Sequence, residues 1–129
     1  MNTANPKRPY RWVLLRHTDA PDDLRGIHFD LLLEDKEFCR TWRLSDIPLL
    51  DGPSVESVYI APHNLDWLYV KEKVVSGNRG IATRIKKGIF LQSLPNIEKR
   101  SVSLSLKWED VDGDLVIDQY GCRISREKY

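Results

Sequence analysis

Residues 27–34 read "IHFDLLLE". In an extended chain alternate side chains share a face, so Ile27, Phe29, Leu31 and Leu33 form one apolar face and His28, Asp30, Leu32 and Glu34 the other. Four large hydrophobes in register need a core beneath them, and a β-strand gives them one. Upstream, "YRWVLLRH" (10–17) is apolar on both faces through Trp12–Leu15, as expected of a central strand covered on both sides. Between the two, "HTDAPDDLRG" is rich in turn formers and reads as a loop. Downstream, a short connection at Asp35-Lys36 leads into "EFCRTWRL" (37–44), a hairpin partner with Phe38, Arg40, Trp42 and Leu44 on one face.

The rest of the chain keeps a period of two rather than 3.6. "SDIPLLDGPS" is a loop, and "VESVYIAP" is a short strand that Pro62 should stop. "HNLDWLYVKEKV" fits either a strand or one helical turn, and "SGNRG" (76–80) is a turn. "IATRI" and "IFLQS" read as two hairpin arms around Lys86-Lys87-Gly88. "SVSLSLKW" alternates cleanly, with Val102, Leu104, Leu106 and Trp108 inward and Ser103, Ser105 and Lys107 outward. Asp112-Gly113 is a tight-turn signal, after which "LVIDQY" returns. No amphipathic helix of convincing length and no internal repeat is found. The expected fold is mainly β, a small antiparallel β-barrel with little helix. It occupies residues 10–129 as a single domain behind a flexible polar arm at residues 1–9.

The bulk numbers agree: 129 residues suffice for one real core, with 41% hydrophobic and 30% charged residues. A net charge of +1 gives no global attraction to polyanions, so a nucleic-acid site would have to be a local patch. Cys39 and Cys122 lack metal-binding spacing, which argues against a structural zinc or a disulfide framework and for reduced thiols in the cytoplasm. Near the N-terminus the apolar run Trp12–Leu15 is too short for a signal core or a membrane span, so no membrane partner is expected. The chain is expected to be a monomer.

The second face of residues 27–34 carries the chemistry. His28 and Asp30 lie two residues apart on one strand, about 6.6 Å between Cα atoms, with parallel side chains. His17 closes the preceding strand, and a neighbouring strand lies about 4.8 Å away. Two imidazoles and one carboxylate suit Mn, Zn or Fe(II) and leave positions open for a substrate oxygen. A half-buried strand face accounts for His28, Asp30 and Glu34 equally well. The exposed serines of 101–105 are no nucleophile site, since no base stands beside them.

Taken together, "VLLRH", "IHFDLLLE", "RTWRL", "PHNLDW" and "SGNRG", in that order over roughly residues 10–90, resemble the 3′-phosphoesterase domain of bacterial DNA ligase D. That family trims 3′ ends of DNA or RNA with a bound divalent metal, preferably manganese, on a compact β-barrel. Its signature is a histidine, a short loop, then His-aromatic-Asp-x-Arg-x-Glu, a strand bearing tryptophan, and a later His-x-Leu-Asp-Tyr. The resemblance implies that His17, His28 and Asp30 are metal ligands. It also places Glu34 on the conserved carboxylate, Trp42 on the strand tryptophan, and His63 on the catalytic histidine that handles phosphate.

The chain departs from the pattern at the phosphate clamp. Leu32 stands at the family arginine and offers neither charge nor donor. Trp67 stands at the tyrosine, keeping an N–H but losing the hydroxyl, and Asp46 stands where a lysine would sit. The loop between the first two histidines is about five residues longer; with the metal cradle kept and the clamp depleted, the chain looks more like the shorter stand-alone relatives of the domain. Arg16, Arg25, Arg79 and Arg84 are candidates to restore the clamp, Arg25 being nearest in sequence to His28. The expected function is a metal-dependent phosphoesterase on nucleic-acid 3′ ends in DNA repair, holding Mn or failing that Zn. Glu34, Trp67 and Arg25 would flank the metal or the substrate. The alternative is a non-catalytic module for nucleic-acid ends or a repair partner, which keeps the metal cradle without the clamp.

Overall fold

The computed structural model describes residues 8–18, 26–75, 80–96 and 101–127. Among these described residues nine strands follow one another: β1 (Tyr10–Thr18), β2 (Ile27–Glu34), β3 (Cys39–Leu44), β4 (Ser57–His63), β5 (Glu72–Val74), β6 (Ile81–Phe90), β7 (Val102–Trp108), β8 (Val111–Asp118) and β9 (Gly121–Arg126). A single 3₁₀ turn at Leu65–Tyr69, capped by the Asn64 side chain accepting from the Asp66 N–H, is the helical element among them. The strands form one antiparallel sheet in the order β4-β3-β2-β1-β6-β7-β8-β9, with β5 added to β6. The sheet curls until its ends meet. Val55 exchanges two backbone hydrogen bonds of 2.8 Å with Cys122, and the Asp51 N–H donates to the Ile124 carbonyl at 2.8 Å. The result is the small antiparallel, barrel-like fold that the alternation predicts.

The apolar face of "IHFDLLLE" lies in the main core. Phe29, Leu31 and Leu33 pack there with Trp12, Leu14, Trp42, Leu44, Trp108 and the inward residues of β7–β9. Trp12 and Trp108 stack with ring centroids 4.7 Å apart, and the Trp12 Nε1–H donates to the Lys107 carbonyl at 3.2 Å. Gly88 makes that possible, since a Cβ there would lie 2.4 Å from Trp12 Nε1 and 2.5 Å from the Lys107 oxygen. On the other face of β1 and β2 a second cluster forms from Val13, Leu15, Leu32, Cys39 and Leu68, capped by the 3₁₀ turn. This is why Trp12–Leu15 is apolar on both sides.

Several local expectations give way to longer-range pairing. Lys86-Lys87-Gly88 is not a hairpin turn, because residues 81–90 form one strand paired along its length to β1, with a bulge between Leu14 and Leu15 where β6 has an extra residue. The Asp112-Gly113 turn is displaced to Glu109-Asp110, both at positive φ (51° and 65°), because Trp108 pairs with Val111 and leaves Gly113 under Ile124. Pro62 does not stop β4, which runs to His63; it sits on an edge strand at a register shift, where no ladder donor is missed. The β2–β3 hairpin turns over residues 35–38 rather than Asp35-Lys36 alone, so Glu34 pairs with Cys39. "HNLDWLYVKEKV" divides between the 3₁₀ turn and β5.

Glu34 has a structural post. Its carboxylate is 2% exposed, lies 2.8 Å from an Arg8 guanidinium N, accepts the Arg11 backbone N–H at 2.8 Å, and is 3.5 Å from the Arg11 Nε. Arg8 of the N-terminal arm is thereby held to the barrel. Burial would raise the Glu34 carboxyl, but Arg8 and the Arg11 N–H outweigh it and hold it below its usual 4.5. A folded-state pKa depressed in this way contributes stability above the unfolded value, and that stability is lost as pH falls through the folded one. Glu34→Gln is therefore expected to lower thermal stability at pH 7 and to cost progressively less below about pH 4.5. Melting curves of both proteins across pH 3–7 check it; a difference that widens towards acid contradicts it.

Candidate metal centre

His17 and His28 are directly paired residues of β1 and β2, so their rings stand side by side, stacked with centroids 4.9 Å apart and planes 11° from parallel. Asp30 follows on the same face of β2 and is 1% exposed. Its Oδ2 lies 3.1 Å from His17 Nε2 and its Oδ1 3.9 Å from His28 Nε2. The ligand atoms of the trio all lie within 4.8 Å of one another. Two bonds of about 2.1 Å to one ion hold their ligand atoms at most about 4.2 Å apart. Both contacts to Asp30 already meet that limit.

His17 Nε2 is buried and lies 3.1 Å from Asp30 Oδ2. A set of two imidazole nitrogens and one carboxylate oxygen fits a divalent Mn, Zn or Fe ion. Burial would raise the Asp30 carboxyl, but His17, Arg43 and His28 together hold it below its ordinary value. The group is thus an anion, which is the form that binds a cation.

Three more elements wall the trio. From the 3₁₀ turn, Trp67 lies tilted against His17 at 6.5 Å and edge-on to His63 at 5.4 Å. Lys73 of β5 sits 5.0 Å from the centre of the Trp67 ring. His63 Nδ1 lies 3.0 Å from Thr41 Oγ1, whose hydroxyl donates to the Cys39 carbonyl at 3.1 Å. The Thr41 hydroxyl thus bridges the His63 ring and the Cys39 carbonyl and fixes the ring's position. Burial holds His63 below its ordinary pKa of 6.5, with Arg43 and His17 adding to the effect and Asp30 opposing it. Neutral imidazole is the prevailing form at pH 7.

Arg43 is the residue that sequence reading missed. It pairs with Asp30 across β2 and β3, and its Nε lies 3.4 Å from Asp30 Oδ1 while the side chain stays 49% exposed. A guanidinium therefore does reach the trio, from the neighbouring strand. Leu32 is fully buried in the second cluster. Of the arginines weighed from sequence, Arg84 lies on β6 opposite Leu15 and Arg16 takes the opposite phase of β1; Arg25 and Arg79 fall outside the described residues. Glu34 belongs to the other end of β2 with Arg8 and Arg11. Trp42 is a core residue stacked obliquely on Tyr59, and Asp46 caps its own turn by accepting the Ile47 N–H. Burial raises the thiols of Cys39 and Cys122 to about 12, so neither is a reactive thiolate.

Among the described residues no helix is long and apolar enough to cross a membrane. No family model matches the chain, and no curated protein matches it.

Proposed function

We propose that this chain is a metal-dependent phosphoesterase-like domain that acts on nucleic-acid 3′ ends in cytoplasmic DNA repair, with manganese as its ion and zinc as a substitute. The convergence of His17, His28 and Asp30 carries the reading. A divalent ion held there supplies Lewis-acid polarisation of a phosphoryl oxygen and a lowered pKa for water. The chain's own residues do the rest. Asp30 offsets the positive charge, and the two imidazoles orient the ion by their fixed cross-strand pairing. His63, held by Thr41, would take a proton from the attacking water and return it to the leaving oxygen. Arg43 presents a fixed charge and planar donors to the phosphate, taking the role that Leu32 gives up. Trp67 narrows the approach and excludes bulk water from the His17 side.

The test is release of phosphate from a 3′-phosphorylated primer by the full chain with manganese. Turnover is expected, with His28→Ala lower by about 100-fold or more and Arg43→Ala raising KM about 10-fold with a smaller loss in kcat. Turnover undiminished in His28→Ala refutes the reading. The complete burial of Leu32 at the clamp position favours a second reading, a module that binds nucleic-acid ends or a repair partner without turnover. Salt-dependent binding with no phosphate release would select it.

A further inference from the structure

The outward face of β1 continues beyond the trio. His17, Leu15, Val13 and Arg11 share that face, and around Arg11 and Val13 opens a groove of about 620 Å³ lined also by Leu68, Tyr69, Arg84, Lys87 and Lys107. Its cause lies in the pairing of β6. β5 takes Ile81–Thr83, the Arg84 N–H donates to the Lys71 carbonyl at 2.8 Å and β7 pairs at Phe90, so on that edge residues 85–89 are left without a ladder partner among the described residues. The bulge opposite Leu14 and Leu15 then changes the phase of β6. Arg84 pairs with Leu15 and Lys87 with Val13, so two residues three apart point to the same side. In a regular strand they would point to opposite sides.

Four cations line this groove. Two are already engaged, Lys107 with Asp112 at 2.6 Å and Arg11 with Glu34 at 3.5 Å, and Asp110 adds one negative charge at the rim. Arg84 and Lys87 have no ion-pair partner among the described residues. Beside them Tyr69 is 65% exposed, with the Arg11 guanidinium 4.4 Å from its ring centre. Free cations next to an exposed aromatic ring suit a flexible chain of phosphates and bases, the cations for the backbone and the ring for a base. An acidic peptide would use the cations and leave the ring idle. The 3₁₀ turn ties the groove to the metal centre, since Trp67 faces His17 and Tyr69 faces Arg11. From His17 to Arg11 the face runs roughly 20 Å at ~3.3 Å per residue, room for a few nucleotides.

We propose that this groove binds the single strand leading to the 3′ end, so that the ligand is an oligonucleotide rather than a small phosphomonoester. The proposal rests on the reading above for its end group, but its binding energy comes from separate residues. The probe is a labelled single-stranded 10-mer with a 3′-phosphate, measured by fluorescence anisotropy against the full chain over a salt series. Arg84→Glu with Lys87→Glu is expected to weaken binding at least 10-fold and to flatten the slope of log K against log salt by about 1 to 2. His28→Ala, which leaves the groove intact, should keep the slope. Arg84→Gln with Lys87→Gln gives a milder pair should the charge reversal disturb folding.

Equal binding by wild type and both double variants overturns the proposal, as does equal affinity for a polyglutamate of the same length or for anionic vesicles. Groove-dependent binding without phosphate release leaves the groove standing and removes the phosphoesterase reading. Phosphate release that is indifferent to both groove charges and to shortening the substrate to a 3′-mononucleotide does the reverse.

Discussion

Asp30→Asn should reduce manganese affinity by about 100-fold or more and bring phosphate release to background. The change is isosteric and removes only the charge. Asp30 is the member of the trio that touches both others, at 3.1 Å and 3.9 Å, and among the described residues it is the trio's one carboxylate, in a site that Arg43 also faces. Loss of a group that merely orients a ligand costs 10–100-fold in metal affinity, and loss of the anionic ligand itself should cost more. Titration calorimetry or manganese EPR reads the affinity, and circular dichroism reports whether the barrel is intact. A folded Asp30→Asn protein that binds manganese like wild type removes the metal centre, and with it the functional reading.

The second large effect concerns stability. Trp12→Ala is expected to destabilise the barrel by about 3–5 kcal/mol, a fall in Tm of roughly 10–20 °C for a domain of this size. The indole is fully buried, stacks on Trp108 and donates to the Lys107 carbonyl, so truncation opens a cavity and orphans an acceptor at once. Trp12→Phe retains most of the apolar area and loses the hydrogen bond, about 1–2 kcal/mol. Denaturant melts of the two variants distinguish the contributions. If Trp12→Ala unfolded within a few degrees of wild type, β1 would not be the centre of the core.

The architecture was legible wherever one strand's alternation was decisive by itself. Residues 27–33, 102–108 and 12–15 declare their faces by hydrophobicity alone, and three of the site residues, His17, His28 and Asp30, follow from a two-residue spacing plus an adjacent strand. What remained hidden depended on register. Reading the β2–β3 connection as Asp35-Lys36 sets Thr41 opposite Asp30; the four-residue turn at 35–38 moves Arg43 there instead. A two-residue slip thus conceals Arg43. The bulge in β6 is likewise invisible locally, since Lys86-Lys87-Gly88 has the composition of a turn and becomes strand only because β1 offers a full-length partner. The Glu109-Asp110 turn lacks the glycine that usually marks positive φ, and the nearby Gly113 shifts the sequence reading three residues along.

The two ends of the curled sheet are joined by loop 50–55 and β9 through isolated bridges, not by a continuous strand ladder. Gly121, at φ 124°, lets the loop come so near that a Cβ would sit 2.3 Å from the Val55 carbonyl oxygen. Such a closure can breathe without melting β1, β2 and β3, which are paired along their lengths elsewhere. Amide hydrogens of Val55 and Cys122 should therefore exchange with deuterium well before those of Leu31 or Leu14, and the histidine pair would ride on the slowest-exchanging part of the molecule while its far side opens and shuts.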